Sequence, residues 1–118
     1  MAPSRWGANL INISFANDSL HDVCVDLERA ELRFGTVSAG ALTSFIADAE
    51  SLENAAELID FYGDEIEISG DDSLIVSIGS QYRATLVVVG KMFKRDKDGR
   101  VVWKTATRLK LVDVSRWP

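Results

Sequence analysis

The feature that most constrains this chain is a change in the spacing of its apolar residues near Gly63. From Leu20 to Leu58, apolar residues recur every three or four positions, which is the spacing of helices that bury one side. After Gly63 they alternate with polar residues, which is the spacing of strands that bury one face. A single switch of this kind predicts an α+β fold in which helices cover one face of a sheet.

The part before Gly63 opens with a strand and a helix. Asn9–Phe15 alternates apolar and polar residues, so it predicts an N-terminal strand. Residues 18–34 carry an apolar stripe at helical spacing and form the first predicted helix. Asn17 or Asp18 can cap its beginning, and Gly35 stops it.

A second helix follows with almost no loop. It is predicted over residues 36–50, with Thr36 as its cap. Two helices joined this closely are expected to form an antiparallel helical hairpin. Ser51 begins a shorter helical turn that continues through Leu58.

Four strands with short turns complete the chain, and this pattern predicts an antiparallel β-meander. The predicted strands are residues 65–68, 74–78, 82–89 and 101–113. Asp98-Gly99 is a good hairpin signal before the last of them. The only prolines, Pro3 and Pro118, stand at the ends, and no stretch resembles a linker. One domain over residues 1–118 is therefore expected.

Several residues are predicted to be buried between the helices and the sheet. They are Leu20, Leu27, Phe34, Leu42, Phe45, Ile66, Leu86, Val88 and Leu109.

The charges of the chain are unevenly distributed. Residues 1–80 hold three basic and 15 acidic side chains, a net charge of −12, and residues 81–118 hold ten basic and three acidic, a net charge of +7. The overall charge of −5 argues against a general nucleic-acid binder. Two interpretations stay open: an acidic helical side opposite a basic sheet side, or halves that neutralise each other within the fold.

The single cysteine and single histidine limit the chemistry of the chain. Cys24 has no partner for a disulfide, and its helical apolar position favours a small buried hydrophobe over a nucleophile paired with His21. These two residues cannot supply the usual set of zinc ligands, so no metal or cofactor is expected. Met1 to Ala8 has no apolar signal region and no apolar run is long enough to cross a membrane, so we expect a cytoplasmic protein without membrane contact.

Five segments, in their order and spacing, resemble HigB-type plasmid-maintenance killer proteins of the RelE/HigB toxin group. The segments are Ile13-Ser14-Phe15, the helix from Leu20 to Phe34-Gly35, Ser51-Leu52-Glu53-Asn54 with Leu58, the strands from Ile66 to Tyr82-Arg83, and Leu109–Asp113. Together they cover roughly residues 11–113, which is nearly the whole chain. The resemblance implies a RelE/ParE-like fold.

The resemblance also implies a function. Such toxins are endoribonucleases that cleave messenger RNA, typically on the ribosome, and are silenced by an antitoxin protein, here expected to be of the helix-turn-helix type. Cleavage uses the neighbouring 2′-hydroxyl as nucleophile and needs a base, an acid and cations that stabilise the phosphorane. In the family, Lys, Arg, His and Tyr side chains on the open sheet face do this without a metal.

Arg83 is the residue that matches a catalytic position of the family, since it follows Tyr82 as the pattern requires. If Tyr82 packs under the helices, Arg83 points from the open face, where it can hold a phosphate. Glu65 and Glu67 are expected on the same face within salt-bridge reach of Arg83. Such carboxylates would neutralise Arg83 and repel phosphate.

Six other cations are candidates for RNA binding. Lys104, Arg108 and Lys110 have even spacing, which predicts one common side of the last strand. Lys91, Lys94 and Arg95 surround an aromatic residue in a loop, a combination that can hold an RNA backbone and stack a base. The alternative for all six is an ordinary solvated surface.

Two functions therefore remain open. The first is a RelE/HigB-like toxin, an endoribonuclease with catalysis that is intact or weakened. The second is a non-catalytic protein-interaction module on the same fold. The acidic residues near Arg83 favour the second, as does Ser115-Arg116-Trp117 in place of the family's C-terminal Tyr or His.

Overall fold

A computed structural model describes residues 10–118. The strands are β1 (Asn12–Phe15), β2 (Ile66–Ser69), β3 (Ser73–Ile78), β4 (Tyr82–Val88) and β5 (Arg108–Arg116). The helices are α1 (Asp18–Val25), α2 (Leu27–Phe34), α3 (Thr36–Glu50) and α4 (Ala55–Tyr62), with short 3-10 turns at Gly63–Glu65 and Trp103–Thr105. Within this part of the chain, no helix combines the length and apolarity needed to span a bilayer.

The five strands form one sheet in the order β1-β5-β4-β3-β2. Strands β2, β3, β4 and β5 pair antiparallel with one another in chain order, so the predicted meander and the α+β class are confirmed. Strand β1 pairs parallel with β5, Ile13 standing opposite Leu109, which makes the sheet mixed. An entirely antiparallel sheet was expected, and the β1–β5 pair departs from that expectation. Asn9, the first residue of the predicted strand, lies outside the described residues.

The helices cover one face of this sheet. Alternate residues of β4, from Tyr82 to Val88, are buried, and those between them are half-exposed. The buried ones join side chains of α1 to α4 in one hydrophobic core. The other face carries no helix of the described chain, and we call it the open face.

The first predicted helix, residues 18–34, is in fact two helices that break at Asp26. Asp26 has extended backbone angles, with φ −121° and ψ 104°, and its carboxylate accepts from the Arg29 N–H at 3.3 Å. An acidic side chain that satisfies a free backbone donor stabilises a new helix start. The break shifts the helical periodicity, so Leu27, which was predicted to be buried, is 49% exposed. The other eight residues predicted for the core are buried.

The helix boundaries follow local capping. Asn17 accepts from the Leu20 N–H at 2.9 Å and caps α1, as predicted. Gly35 ends α2 with a φ of 85° and is also the N-cap of α3, so the prediction that Thr36 caps that helix is wrong. The short helix begins at Ala55 rather than Ser51, because the Asn54 side chain caps it.

The last strand begins seven residues later than predicted. Residues 101–107 contain the 3-10 turn and not a strand. The Thr105 hydroxyl donates to the Val102 carbonyl at 2.6 Å and accepts from the Lys94 N–H at 2.9 Å. These two bonds use a side chain to turn the backbone where the sequence pattern predicted extension.

Candidate functional site

Arg83 lies on the open face, as predicted. It is half-buried on the central strand β4, and its register partners are Ser77 on β3 and Ser115 on β5. Tyr82, the preceding residue, is buried under the helices and meets the ring of Phe34 edge to face. The alternation of strand residues therefore fixes the direction in which Arg83 points.

The Arg83 side chain is held by an aromatic ring. Its guanidinium carbon lies 5.4 Å from the centroid of the Trp117 ring. Its Nε atom is shielded from solvent and has no hydrogen-bond partner among the described residues. The shielded Nε cannot reach a ligand, but the two terminal nitrogens of the guanidinium form no hydrogen bond or ion pair among the described residues, so Arg83 is a positioned cation whose terminal donors are available.

The expected salt bridges between Arg83 and Glu65 or Glu67 are absent from the described part of the chain. Strand β3 separates β2 from β4, and Glu67 stands opposite Ile75 of β3. Glu65 precedes β2, in the 3-10 turn. The prediction treated residues two strands apart as neighbours, and it is wrong.

The carboxylates instead line a separate pocket beside β2. This pocket has a volume of about 190 Å³, and Asp64, Glu65, Glu67, Ser77 and Trp117 are among the residues that line it. Trp117 therefore has acidic residues on the pocket side and also contacts Arg83. The open face is acidic at its β2 side.

Asp113 is a residue of this face that the sequence analysis missed. Asp113 of β5 stands opposite Thr85 of β4, and Leu111 of β5 stands opposite Leu86 of β4. Val112, between them, is therefore an extra residue that forms a β-bulge. The bulge reverses the alternation of β5, and exposed Asp113 comes to the same face as Arg83. The burial of Leu111 and Val114, three residues apart, reveals this bulge in the structure. The sequence alone carries no signal of it, because Val112 is apolar as well.

Arg108 and Lys110 lie on the open face of β5, as predicted. They are register partners of Asn12 and Ser14 on β1. Arg108 is exposed and Lys110 is half-buried. Lys104 does not share this side, because it lies in the 3-10 turn before the strand begins, and this part of the prediction is wrong.

The loop cations Lys91, Lys94 and Arg95 are all exposed. Arg95 serves the loop itself, since it donates to the Gly99 carbonyl at 3.0 Å and lies 5.3 Å from the centroid of the Phe93 ring. Asp96 accepts from two backbone N–H groups of the turn, which confirms a turn at Asp98-Gly99. The loop is therefore ordered by its own side chains.

Cys24 is half-buried and packs against the hydrophobic core, so it is less buried than predicted, but its environment favours a small hydrophobe over a nucleophile. Burial raises the pKa of the Cys24 thiol to about 11, against a smaller opposing effect of Arg33. The thiol is therefore protonated near neutral pH and is a poor nucleophile. His21 lies against Phe15 and Asp22.

Within residues 10–118, no three His, Cys, Asp or Glu side chains come together in a way that could hold a metal ion. Comparisons of the chain with protein-family models, with curated proteins and with solved structures find no match.

Proposed function

We propose that the chain is an RNA-cleaving toxin of the RelE/HigB type, and that the open face around Arg83 binds and cleaves messenger RNA. The observation that carries the proposal is the positioned Arg83 guanidinium at the centre of that face, without a carboxylate partner among the described residues. The sequence resemblance over roughly residues 11–113 supports it. The parallel β1–β5 pair counts against the resemblance, because an all-antiparallel sheet was expected.

The reaction in this proposal is a transesterification. The 2′-oxygen of one nucleotide bonds to the adjacent phosphorus, and the bond from phosphorus to the 5′-oxygen of the next nucleotide breaks. The products are a 2′,3′-cyclic phosphate and a 5′-hydroxyl. The guanidinium of Arg83 stabilises the negative charge that develops on the phosphorane oxygens.

Asp113 is the candidate base for the attacking hydroxyl. It lies on β5, the strand beside that of Arg83. Its register partner Thr85 is two residues along β4 from Arg83, and both side chains lie on the open face. Its carboxylate accepts the 2′-hydroxyl proton, and the leaving 5′-oxygen takes a proton from water. In this scheme the chain supplies one cation and one base, so catalysis is slower than in a site that also has an acid.

The biological setting belongs to the same proposal. The chain acts in the cytoplasm on messenger RNA at the ribosome, and an antitoxin protein of the helix-turn-helix type silences it. A protein of this function is toxic when it is produced without its antitoxin.

The first test is induced expression in bacteria together with cleavage of RNA by the purified protein. We expect growth arrest, and Arg83→Ala should relieve it and lower the cleavage rate by about 100-fold or more. Arg116→Ala is the matched control, because Arg116 is the register partner of Tyr82 and contacts its ring rather than the open face. Arrest that persists in a folded Arg83→Ala variant would contradict the proposal.

Asp113→Asn separates catalysis from binding. Loss of the base should lower cleavage by about 100-fold or more, while RNA binding stays equal or becomes tighter because a negative charge is removed. An RNA with a 2′-deoxy substitution at the cleaved nucleotide should bind and resist cleavage.

The second candidate function is a non-catalytic interaction module. It is favoured by a specific observation: Ser77, Ser115 and Trp117 surround Arg83, and none of them is an effective general acid. This function predicts harmless expression and no cleavage by the wild-type chain. Robust arrest that Arg83→Ala abolishes would exclude it.

A further inference from the structure

A groove lies at the opposite side of the open face from the acidic pocket. Asn12 and Ser14 of β1, Val89 and Gly90 after β4, and Arg108 of β5 line it, and its volume is about 360 Å³. The parallel pairing of β1 with β5 creates this groove, because it sets Asn12 beside Arg108 and Ser14 beside Lys110. The sequence predicted the two cations but not the β1 residues beside them.

The chemistry of the groove suits a phosphate diester. Arg108 supplies a guanidinium and Asn12 an amide, and Lys110 adds a positive charge beside Ser14. The Ser14 hydroxyl donates to the Leu109 carbonyl at 3.5 Å, so we do not count it among the donors for the phosphate. None of the residues that line the groove is acidic. The side chains of Asn12 and Arg108 form no hydrogen bond or ion pair within the described part of the chain, so their donors are available to a ligand.

Gly90 leaves room for the Arg108 side chain. A Cβ atom added at Gly90 would lie 3.3 Å from Cδ of Arg108, which is closer than most such contacts. The φ of Gly90 is +90°, a conformation that side chains other than glycine rarely adopt. The aliphatic part of the Arg108 side chain can therefore lie against Gly90, just past the end of β4, with its guanidinium over the groove.

The distance from this groove to Arg83 follows from the strand register. Val89 lines the groove, and its N–H donates to the carbonyl of Arg108. Val89 is six residues along the chain from Arg83, which corresponds to about 20 Å at the rise of an antiparallel strand. A nucleotide has six backbone bonds against three for an amino-acid residue, so an extended RNA strand advances about 7 Å per nucleotide, roughly twice the strand rise. The two sites are thus about three nucleotides apart.

We propose that this groove is a second phosphate subsite, which holds the RNA backbone three nucleotides from the phosphate at Arg83. The inference rests on the proposed function of Arg83 and adds to it the length of RNA that is bound: a strand along β4 and β5 with at least four consecutive phosphates. Asp113 lies between the two subsites, so the intervening phosphates are held away from the sheet surface.

The experiment compares the affinities of a dinucleotide and a pentanucleotide of 2′-O-methyl uridine, which have one and four phosphates and cannot be cleaved. The variants are Arg108→Ala, Arg83→Ala and, as the matched control, Arg33→Ala on helix α2. Arg108 is exposed, so its substitution should leave the fold intact, which a thermal unfolding measurement checks.

We expect the wild type to bind the pentanucleotide more tightly than the dinucleotide. Arg108→Ala should weaken binding of the pentanucleotide by about tenfold and of the dinucleotide by less than about twofold, since the lost contact is a charge-assisted one. The slope of log affinity against log salt for the pentanucleotide should fall by about 0.7 for one lost phosphate contact. Arg33→Ala should change neither the affinity ratio nor the slope.

Two outcomes would overturn the inference in distinguishable ways. If Arg83→Ala weakens both oligonucleotides but Arg108→Ala affects them equally or not at all, the second subsite is wrong and the proposed function stands. If the wild type binds neither oligonucleotide, the second subsite and RNA binding at Arg83 both fail.

Discussion

Replacement of Phe45 by alanine tests how the helices are packed on the sheet. Phe45 lies on α3 and is 1% exposed. Its ring meets that of Tyr62 on α4 edge to face, with centroids 5.3 Å apart. The Tyr62 hydroxyl in turn donates to the Asp48 carboxylate at 2.9 Å, so the substitution removes one side of a contact between α3 and α4.

The expected loss can be worked out from the burial. A fully buried phenylalanine replaced by alanine costs about 3–5 kcal/mol of unfolding free energy, because apolar contact is lost and a cavity stays behind. The edge-to-face pair accounts for about 0.5–1.5 kcal/mol of that amount. At about 2.1 cal/mol/K of unfolding entropy per residue, a chain of this length should lose about 12–20 °C in Tm.

The assay is unfolding in urea, followed by far-UV circular dichroism, together with a thermal scan. Val37→Ala is the matched control, since Val37 is on the same helix and 77% exposed, and it should cost less than about 0.5 kcal/mol. A loss below about 1 kcal/mol for Phe45→Ala, at an unchanged dependence on urea, would show that this face of α3 is not in the core.

Two further predictions concern a thiol and a turn. Because the pKa of Cys24 is raised to about 11, its reaction with a thiol reagent should be slow at pH 8 and rise about tenfold per pH unit up to that value. A labelling rate that levels off near pH 9 would contradict the burial of the thiol. The thiol of the unfolded chain has a lower pKa, so the stability that Cys24 contributes should be constant below about pH 8.5 and decline above it. Gly79→Ala should cost at least about 1 kcal/mol more than Gly99→Ala in urea unfolding, because both glycines have positive φ but only at Gly79 would a Cβ meet Ser38 Oγ, at 2.9 Å. Equal losses for the two variants would show that Ser38 moves aside.

Local features of the fold could be predicted from the sequence alone. The change from helical to alternating spacing near Gly63 gave the α+β class, and the caps at Asn17 and Gly35 gave the helix boundaries there. The alternation of Tyr82 and Arg83 placed Arg83 on the open face correctly. Each of these features depends on residues within a few positions of one another, and short-range sterics and hydrogen bonds decide them.

Features that depend on distant contacts were decided only by the tertiary structure. Whether Glu67 can reach Arg83 depends on which strand lies between them, and β3 occupies that place. Asp113 reaches the open face because the pairing of β5 with β4 absorbs an extra residue at Val112, and a single strand does not reveal its bulge. The groove at Arg108 exists because β1 adds to β5 from almost a hundred positions earlier in the chain. Periodicity fixes which side a residue faces only within a regular stretch of strand. The neighbours on that side are set by strand order and register, because the most favourable burial of the whole chain selects them.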